Sequence, residues 1–204
     1  MQPEDFNDFL GQQHLLAGNK PLRRLIEEDK IVSVIFYGPP GTGKTALAHI
    51  IARKTKARFI AINAVTAGIK DIREAVESSR GGRAILFVDE IHRFNKTQQD
   101  ALLPHVEQGE VILIGASTQN PFFSLVPALS SRSLIFPFKP IPEEDLKKLI
   151  SLALRENPFG IAAVKFQEER QQKVIDTGIY SVVRHPMYTG GILLIVGMPL
   201  WLES

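Results

Sequence analysis

Five short apolar runs, separated by segments in which apolar residues recur every three or four positions, organise the first 156 residues. The runs predict β-strands at 32–37, 57–63, 83–90, 110–117 and 133–138, and the spaced segments predict helices at 44–55, 69–79, 96–109 and 142–156. The run at 83–90 is nearly all apolar, which is typical of a strand covered on both faces of its sheet. Strands that alternate with helices predict an α/β fold with a parallel five-stranded sheet flanked by helices.

Proline and glycine mark the ends of the predicted elements. Pro104 is expected to kink or shorten the helix at 96–109. Asn157, Pro158 and Gly160 interrupt the helical pattern that ends at Glu156, which predicts a domain boundary there. Of the 24 Lys and Arg residues and the 22 Asp and Glu residues, only four of each follow this boundary. We therefore predict one domain at 1–156 and a separate piece at 157–204.

Composition changes this picture little. A chain of 204 residues, with 44% hydrophobic and 23% charged residues, can form one globular domain with a real core. A net charge of +2 gives no strong electrostatic reason to expect nucleic acid or an anionic membrane as partner. The absence of cysteine excludes disulfides and cysteine–zinc sites, and the acidic N-terminus resembles neither a secretory signal nor a transit peptide. We expect a soluble cytoplasmic protein.

The stretch GPPGTGKT (38–45) lies between the first predicted strand and the first predicted helix, which is the context that a phosphate-binding P-loop requires. Lys44 suits the β- and γ-phosphates and is expected to face solvent, and Thr45 offers its hydroxyl to Mg²⁺. The alternative, a glycine-rich turn with a chance lysine, does not account for the order of strand, loop and helix. The predicted ligands are ATP and Mg²⁺, bound by Gly38, Pro39, Pro40, Gly41, Thr42, Gly43, Lys44, Thr45 and Ala46.

Two carboxylates follow the apolar run of the third predicted strand. Asp89 and Glu90 come about 45 residues after the P-loop, and the carboxyl end of a parallel strand opens at the edge of the sheet where ligands bind. We predict that Asp89 joins Thr45 in holding Mg²⁺, and that Glu90 polarises a water for in-line attack on the γ-phosphate.

Further stretches carry a family resemblance: FLGQQHLL, INAVTAGIKDIREA, ILFVDEIHRFNKTQQDALLPHVEQG, LIGASTQNPFFSLVPALSSR and FKPIPEEDL. Together with the P-loop they resemble the RarA/MgsA/WRNIP1 branch of the AAA+ ATPases, relatives of clamp loaders, from about Pro3 to Glu156. The resemblance implies an ATPase of replication-fork maintenance. It further implies a homo-oligomer that works on single-stranded or forked DNA, near single-strand-binding protein.

The resemblance also gives roles to residues that are neutral by themselves. Thr118 falls at the sensor-1 position, which contacts the γ-phosphate or the attacking water, although Ser117 and Gln119 depart from the usual pattern. Arg132 falls at the arginine-finger position and would reach the γ-phosphate of a neighbouring subunit. The other interpretation of Arg132 is a solvated surface arginine. The segment around the adenine corresponds to Gln12, Gln13, His14 and Leu15.

Other polar residues suggest no separate chemistry. His92 and His105 have no carboxylate–histidine spacing that would support a metal or acid–base role, which favours histidines on a helix surface or in the core. The basic run 53–56 is more typical of a solvated helix end than of a DNA contact.

The resemblance implies two further parts, a helical lid with a sensor-2 arginine and an oligomerisation domain. The helix at 142–156 matches the start of a lid, and the rest of the lid pattern does not follow Glu156. With the lid truncated, we expect nucleotide binding to survive more readily than efficient turnover.

The last 48 residues resemble a different family. ERQQKVIDTGIYSVVRHPMYTGG (169–191) is similar to the signature of isoprenylcysteine carboxyl methyltransferase-like and phospholipid methyltransferase-like membrane enzymes, with Ile179 in place of the usual proline. There His185 and its neighbours would help to bind S-adenosylmethionine. The uncharged stretch 186–202 is shorter than the roughly 20 residues that span a bilayer. We therefore expect a hydrophobic, helical tail and do not expect a membrane partner.

Three functions follow from these patterns. The first is an ATP-hydrolysing core whose catalytic residues are Lys44, Asp89, Glu90, Thr118 and Arg132. The second is a module that binds nucleotide with negligible turnover. The third is an S-adenosylmethionine-dependent membrane methyltransferase, which the missing membrane helices argue against.

Overall fold

All five predicted strands form. The computed structural model describes residues 3–156, so the predicted tail at 157–204 lies outside the described residues. In chain order the elements are α1 (Gln13–Leu16), α2 (Pro21–Glu27), β1 (Val34–Tyr37), α3 (Lys44–Lys54), β2 (Arg58–Asn63), α4 (Ile69–Ser79), β3 (Ala84–Asp89), α5 (Lys96–Glu107), β4 (Ile112–Ser117), α6 (Pro121–Ser124), α7 (Pro127–Ser130), β5 (Leu134–Pro137) and α8 (Glu143–Glu156). Short 3₁₀ turns lie at Phe6–Asp8 and Ile91–Arg93.

The strands pair in parallel into one five-stranded sheet with the order β2-β3-β4-β1-β5. This confirms the predicted α/β fold. Tyr37 at the end of β1 is level with Ser117 of β4 on one side and with Pro137 of β5 on the other. Since the strands are parallel, the loops that follow β1, β3, β4 and β5 all lie at one edge of the sheet, the edge that the carboxyl ends of the strands form.

The core lies on both faces of this sheet, because successive residues of a strand point to opposite sides. In β1, Phe36 joins a buried cluster that includes Leu47 of α3, whereas Ile35 joins a second cluster that includes Ile72 of α4. Covering both faces explains why β1 and β3 are almost continuously apolar. The two buried layers hold the ends of the strands in a fixed arrangement.

Pro104 lies inside α5, and the helix ends at Glu107, two residues before its predicted end at 109. The helix continues for one turn beyond it, to Glu107, and the N–H of Gln108 donates to the Pro104 carbonyl at 2.9 Å. A proline inside a helix removes the hydrogen bond to the carbonyl four residues earlier. That carbonyl belongs to Asp100, an exposed residue, so water can satisfy it.

The helix α8 is part of a different compact unit from residues 3–142. Within it, Lys147 pairs with Glu143 at 2.8 Å and Lys148 pairs with Asp145 at 3.0 Å. The acidic residues of its first turn suit the positive end of the helix dipole, as predicted. Among the described helices, none is both long and apolar enough to cross a membrane.

Candidate nucleotide-binding site

The strand order brings three predicted site segments to one edge of the sheet. The P-loop follows β1, Asp89 ends β3, and Thr118 follows β4. Because β4 lies between β1 and β3, Thr118 comes between the P-loop and the two carboxylates. The N–H of Gly38 donates to the Ser117 carbonyl at 3.0 Å, which joins the start of the P-loop to the end of β4.

Two glycines of the P-loop are required by close backbone approaches. Gly38 has φ 151°, and a Cβ there would lie 2.3 Å from the carbonyl oxygen of Phe138. Gly43 has φ 94°, and a Cβ there would lie 2.8 Å from Cζ of Phe9. Any side chain at either position would displace its neighbour. The P-loop leads directly into the N-terminus of α3, where backbone N–H groups without partners inside the helix favour the binding of an anion.

Lys44, the first residue of α3, is buried rather than facing solvent, so that expectation was wrong. It is 9% exposed, and its Nζ donates to the carbonyls of Gly38 and Pro39, each at 2.8 Å. Burial lowers the pKa of Lys44, and the carboxylates of Glu90 and Asp89 oppose that shift. The ammonium is thus held inside the curve of the loop, at the place where phosphate oxygens are predicted to bind.

The N-terminal segment is fastened to this loop by Gln12. The side chain is 3% exposed. Its Nε2 donates to the carbonyls of Thr42 at 3.3 Å and Lys139 at 2.6 Å, and its Oε1 accepts from the N–H of Lys139 at 2.9 Å. Gln12 also has φ 55°, an uncommon backbone conformation for a residue other than glycine. The amide is therefore a structural clasp, with its polar atoms engaged by the protein itself.

The other residues of the predicted adenine segment lie beside the same edge. Gln13 is exposed and begins α1. His14 Nε2 lies 2.9 Å from the Pro137 carbonyl at the end of β5. Leu15 is buried in the core. Contact between this segment and the adenine base stays a prediction. Of the four residues from 12 to 15, Gln13 is the one that is exposed.

The two carboxylates occupy a turn that leaves β3. Asp89 Oδ1 accepts from the N–H of Glu90 at 3.1 Å. Glu90 has φ 54°, so the chain reverses sharply at this residue. Its Oε2 accepts from Thr118 Oγ1 at 3.2 Å. The structure therefore brings together two residues, Glu90 and Thr118, that lie 28 positions apart in the chain and were both predicted to act near the γ-phosphate.

His92 is the residue at this site that the sequence left without a function. Its side chain is 2% exposed, and its Nδ1 lies 3.2 Å from Glu90 Oε2 and 3.2 Å from Ser117 Oγ. Burial lowers the pKa of His92, Arg93 lowers it further, and the carboxylates of Glu90 and Asp89 oppose the shift. Its position two residues after Glu90 was the available signal. The contact with Ser117 depends on strand order and could not be seen in the sequence.

His105 is a helix-surface histidine, as the sequence favoured. Its Nδ1 lies 2.7 Å from Glu110 Oε2, and its side chain is partly exposed at the end of α5. In the basic run, Arg53 and Lys54 pair with acidic residues of the N-terminal segment, Glu4 and Asp5. These cations therefore have partners within the chain.

Arg132 lies at the edge of the sheet that the amino ends of the strands form, opposite the edge that carries the P-loop. It precedes β5 by two residues, and β5 begins level with Val34, the start of β1. Six residues separate Arg132 from Phe138, which is about 20 Å along an extended chain. Its guanidinium donates to the Ala128 carbonyl at 3.0 Å and pairs with Glu107 at 2.9 Å. The Arg132 guanidinium is thus engaged by Ala128 and Glu107, at the end of β5 that lies away from the P-loop of its own chain.

This opposite edge carries a groove of about 600 Å³ that includes Arg132 and Glu107 in its lining. Val32, also in the lining, is 50% exposed. The groove contains no predicted nucleotide-binding residue.

The described residues fit a magnesium-bound nucleotide. Three features suit the binding of phosphate oxygens: the glycine positions at which a Cβ would not fit, the buried ammonium of Lys44 and the N-terminus of α3. Within residues 3–156, no group of three or more His, Asp or Glu side chains could hold a metal ion by itself. Mg²⁺ is commonly held by one or two protein oxygens together with phosphate oxygens, and Thr45 and Asp89 are the residues predicted to supply them.

A family model decides the classification. The model of the ATPase family associated with various cellular activities (AAA) matches residues 34–140, which run from the start of β1 to just beyond β5. The chain belongs to the AAA family.

Curated relatives agree with this assignment. The replication-associated recombination protein A of Escherichia coli K12 is 50% identical over 165 residues, which cover 78% of this chain and 37% of that protein. The ATPase WRNIP1 of Dictyostelium discoideum is 45% identical over 164 residues, which cover 78% of this chain and 19% of that protein. The chain thus spans well under half the length of these relatives.

Solved structures share the fold. The RuvB Holliday junction branch migration motor of Thermotoga maritima superposes with a TM-score of 0.63 at 29% identity, over 76% of this chain and 54% of that one. A variant of the same motor protein with a single substitution gives a TM-score of 0.65 at 28% identity, with the same coverage.

A second family model, that of phospholipid methyltransferase, matches residues 153–204. This match covers about a quarter of the chain and lies almost wholly outside the described residues. It begins within α8, four residues before the boundary predicted at 157.

Proposed function

We propose that this chain is the ATP-binding and ATP-hydrolysing AAA core of a replication-associated recombination or fork-maintenance protein. One observation carries the proposal: the order β3-β4-β1 gathers Lys44, Thr118 and the pair of Asp89 and Glu90 at a single sheet edge. A glycine-rich turn with a chance lysine would not require a second and a third catalytic segment at the same edge.

Each of these side chains has a distinct part in hydrolysis. The ammonium of Lys44 exchanges the carbonyls of Gly38 and Pro39 for β- and γ-phosphate oxygens. Thr45 and Asp89 hold Mg²⁺, which neutralises charge on the phosphates. Glu90 accepts a proton from the attacking water, and Thr118, in contact with Glu90, orients the reacting groups.

Complete catalysis requires a second copy of the chain. Arg132 and the P-loop lie at opposite edges of the sheet, so an arginine finger can act only on a nucleotide bound by a neighbour. In a homo-oligomer, Arg132 would leave Glu107 and neutralise charge on the neighbour's γ-phosphate. The partly exposed groove around Arg132 is a surface that such a neighbour could cover.

The Escherichia coli relative suggests the wider role. Its name associates it with replication and recombination, and we propose that the protein acts in the cytoplasm on single-stranded or forked DNA, near single-strand-binding protein. This chain matches only 37% of the Escherichia coli relative. DNA binding by the chain itself can be tested with a fluorescent single-stranded oligonucleotide and with a forked duplex.

A second candidate is a module that binds ATP without appreciable turnover. The separation of Arg132 from the P-loop of its own chain favours it for an isolated monomer, since a monomer lacks the finger. Nucleotide binding needs only the P-loop edge, whereas rapid hydrolysis needs both edges.

One experiment separates the two candidates. Release of phosphate is measured for the full chain and for Glu90→Gln, with nucleotide affinity measured in parallel with a fluorescent ATP analogue. An ATPase gives Mg²⁺-dependent phosphate release that Glu90→Gln loses while it retains affinity. Equal, background-level release by both proteins, with preserved affinity, identifies the binding module. Absence of binding by both proteins would refute the proposal altogether.

We propose further that residues 1–156 form the ATPase core and that 157–204 form a separate methyltransferase-like piece, joined to it without a shared function. A chain that ends at Glu156 should then bind ATP at least as tightly and be more monodisperse in size-exclusion chromatography, because 11 of the 17 residues from 186 to 202 are apolar. Unfolding of the shortened chain would refute the division. Binding of S-adenosylmethionine by the full chain would instead support the methyltransferase alternative.

A further inference from the structure

Two protein groups contact the same oxygen of the Glu90 side chain, Oε2. Oε2 lies 3.2 Å from the Thr118 hydroxyl and 3.2 Å from Nδ1 of His92. The hydroxyl donates in the first contact. The direction of the second contact depends on which nitrogen of the imidazole carries the proton.

The surroundings of Nδ1 settle that question. Ser117 Oγ donates its only proton to the Gln119 carbonyl at 2.6 Å and accepts from the N–H of Gln119 at 3.0 Å. Toward His92, 3.2 Å away, Ser117 can therefore act only as an acceptor. The carboxylate of Glu90 is likewise an acceptor. Since both neighbours of Nδ1 accept, Nδ1 must carry the proton and donate it.

The imidazole is also fixed in place. His92 lies in the turn Ile91–Arg93, between Ile91, which is fully buried, and Phe94, which is 3% exposed. With its own side chain 2% exposed, the ring has little freedom to rotate away from Glu90. Burial also lowers the pKa of His92, which agrees with a neutral ring that has a single proton.

We infer that His92 is a positioning residue, whose Nδ1–H and the Thr118 hydroxyl together fix Oε2 of Glu90 and so leave Oε1 to accept the proton of the attacking water. The inference rests on the proposed function of Glu90 as the group that polarises this water. In this arrangement His92 acts through Glu90.

Three substitutions test the geometry of the donor. His92→Asn places an amide N–H close to the position of Nδ1, His92→Gln moves the amide toward the position of Nε2, and His92→Ala removes the donor. Loss of a hydrogen bond to a charged group should lower kcat for ATP hydrolysis about 10- to 100-fold in the Ala and Gln variants. The Asn variant should stay within a few-fold of the unsubstituted chain, and KM should change little in all three.

A merely structural role for His92 predicts a different outcome. Activity would then follow folded stability in all three variants, with no advantage of Asn over Gln. That result, or an unchanged kcat in His92→Ala, would overturn the inference.

A second measurement does not depend on turnover. In the full chain labelled with ¹⁵N-histidine, the resonances of His92 are identified by their absence from His92→Asn. We expect a neutral ring at about pH 7.5 with the proton on Nδ1, and a changed Nδ1 shift in Glu90→Gln. A proton on Nε2 would overturn the inference even if ATPase activity is normal. If the unsubstituted chain does not hydrolyse ATP, the proposed function fails, and the nitrogen spectrum still decides the contact with Glu90.

Discussion

The buried amide of Gln12 should be a major contributor to the stability of this domain. Its three hydrogen bonds connect the N-terminal segment to the P-loop at Thr42 and to Lys139, residues that are 30 and 127 positions away in the chain. In Gln12→Ala, the N–H and the carbonyl of Lys139 lose these partners at a position where Gln12 itself is 3% exposed.

The expected loss can be estimated from these contacts. Each net hydrogen bond contributes about 1 kcal/mol, and because Lys139 is exposed, water can take up its N–H and its carbonyl once Gln12 is removed. The contact to Thr42 is long, at 3.3 Å, so two strong bonds dominate. We expect Gln12→Ala to lower the free energy of unfolding by about 2–3 kcal/mol, a substantial part of the roughly 5–15 kcal/mol typical of a domain.

The neighbouring residue provides the control. Gln13 is exposed at the start of α1, so Gln13→Ala should change the free energy of unfolding by less than about 0.5 kcal/mol. Urea denaturation followed by circular dichroism measures both variants. Because Gln12 also fixes the backbone of the P-loop at Thr42, Gln12→Ala should weaken binding of a fluorescent ATP analogue. Equal stability of the two variants would refute the proposed clasp.

Three further predictions concern single side chains. Lys44→Ala should abolish measurable binding of the ATP analogue. Its thermal midpoint should shift by only a few degrees, because the variant loses two hydrogen bonds but also removes a buried charge that is costly to fold. Unchanged affinity for the analogue would show that Lys44 is not part of the site. For the unsubstituted chain, ATPase activity per molecule should rise with protein concentration, and Arg132→Ala should remove this rise with ATP affinity retained; activity strictly proportional to concentration in both would contradict a finger that acts in trans. Burial, followed by Arg53, lowers the pKa of His49 below 6.5, so the unfolded chain binds the proton more readily and stability should decrease as pH falls from about 7.5 to about 5.5. His49→Gln should show a smaller decrease in urea denaturation, and an identical pH dependence would refute this assignment.

Local sequence patterns predicted the five strands, the four longest helices and the candidate chemistry of the site. Mostly apolar runs such as 83–90 favoured strands covered on both faces, and the helical spacing of 69–79 predicted α4 with the bounds that the structure has. GPPGTGKT identified the P-loop because its glycine positions and its lysine are adjacent in the chain. The same locality identified Asp89 and Glu90 at the end of a buried strand.

The tertiary structure decided which of these segments meet. No local pattern specifies that β4 lies between β1 and β3, and this order alone joins Thr118 to Glu90 and Ser117 to His92. Lys44 was wrongly predicted to face solvent for the same reason. Its burial depends on the curve that the folded loop makes around it, and no local pattern specifies that curve. Contacts between residues far apart in sequence depend on how the sheet is assembled, so the clasp of Gln12 and the distance of Arg132 from its own P-loop emerged only with the fold.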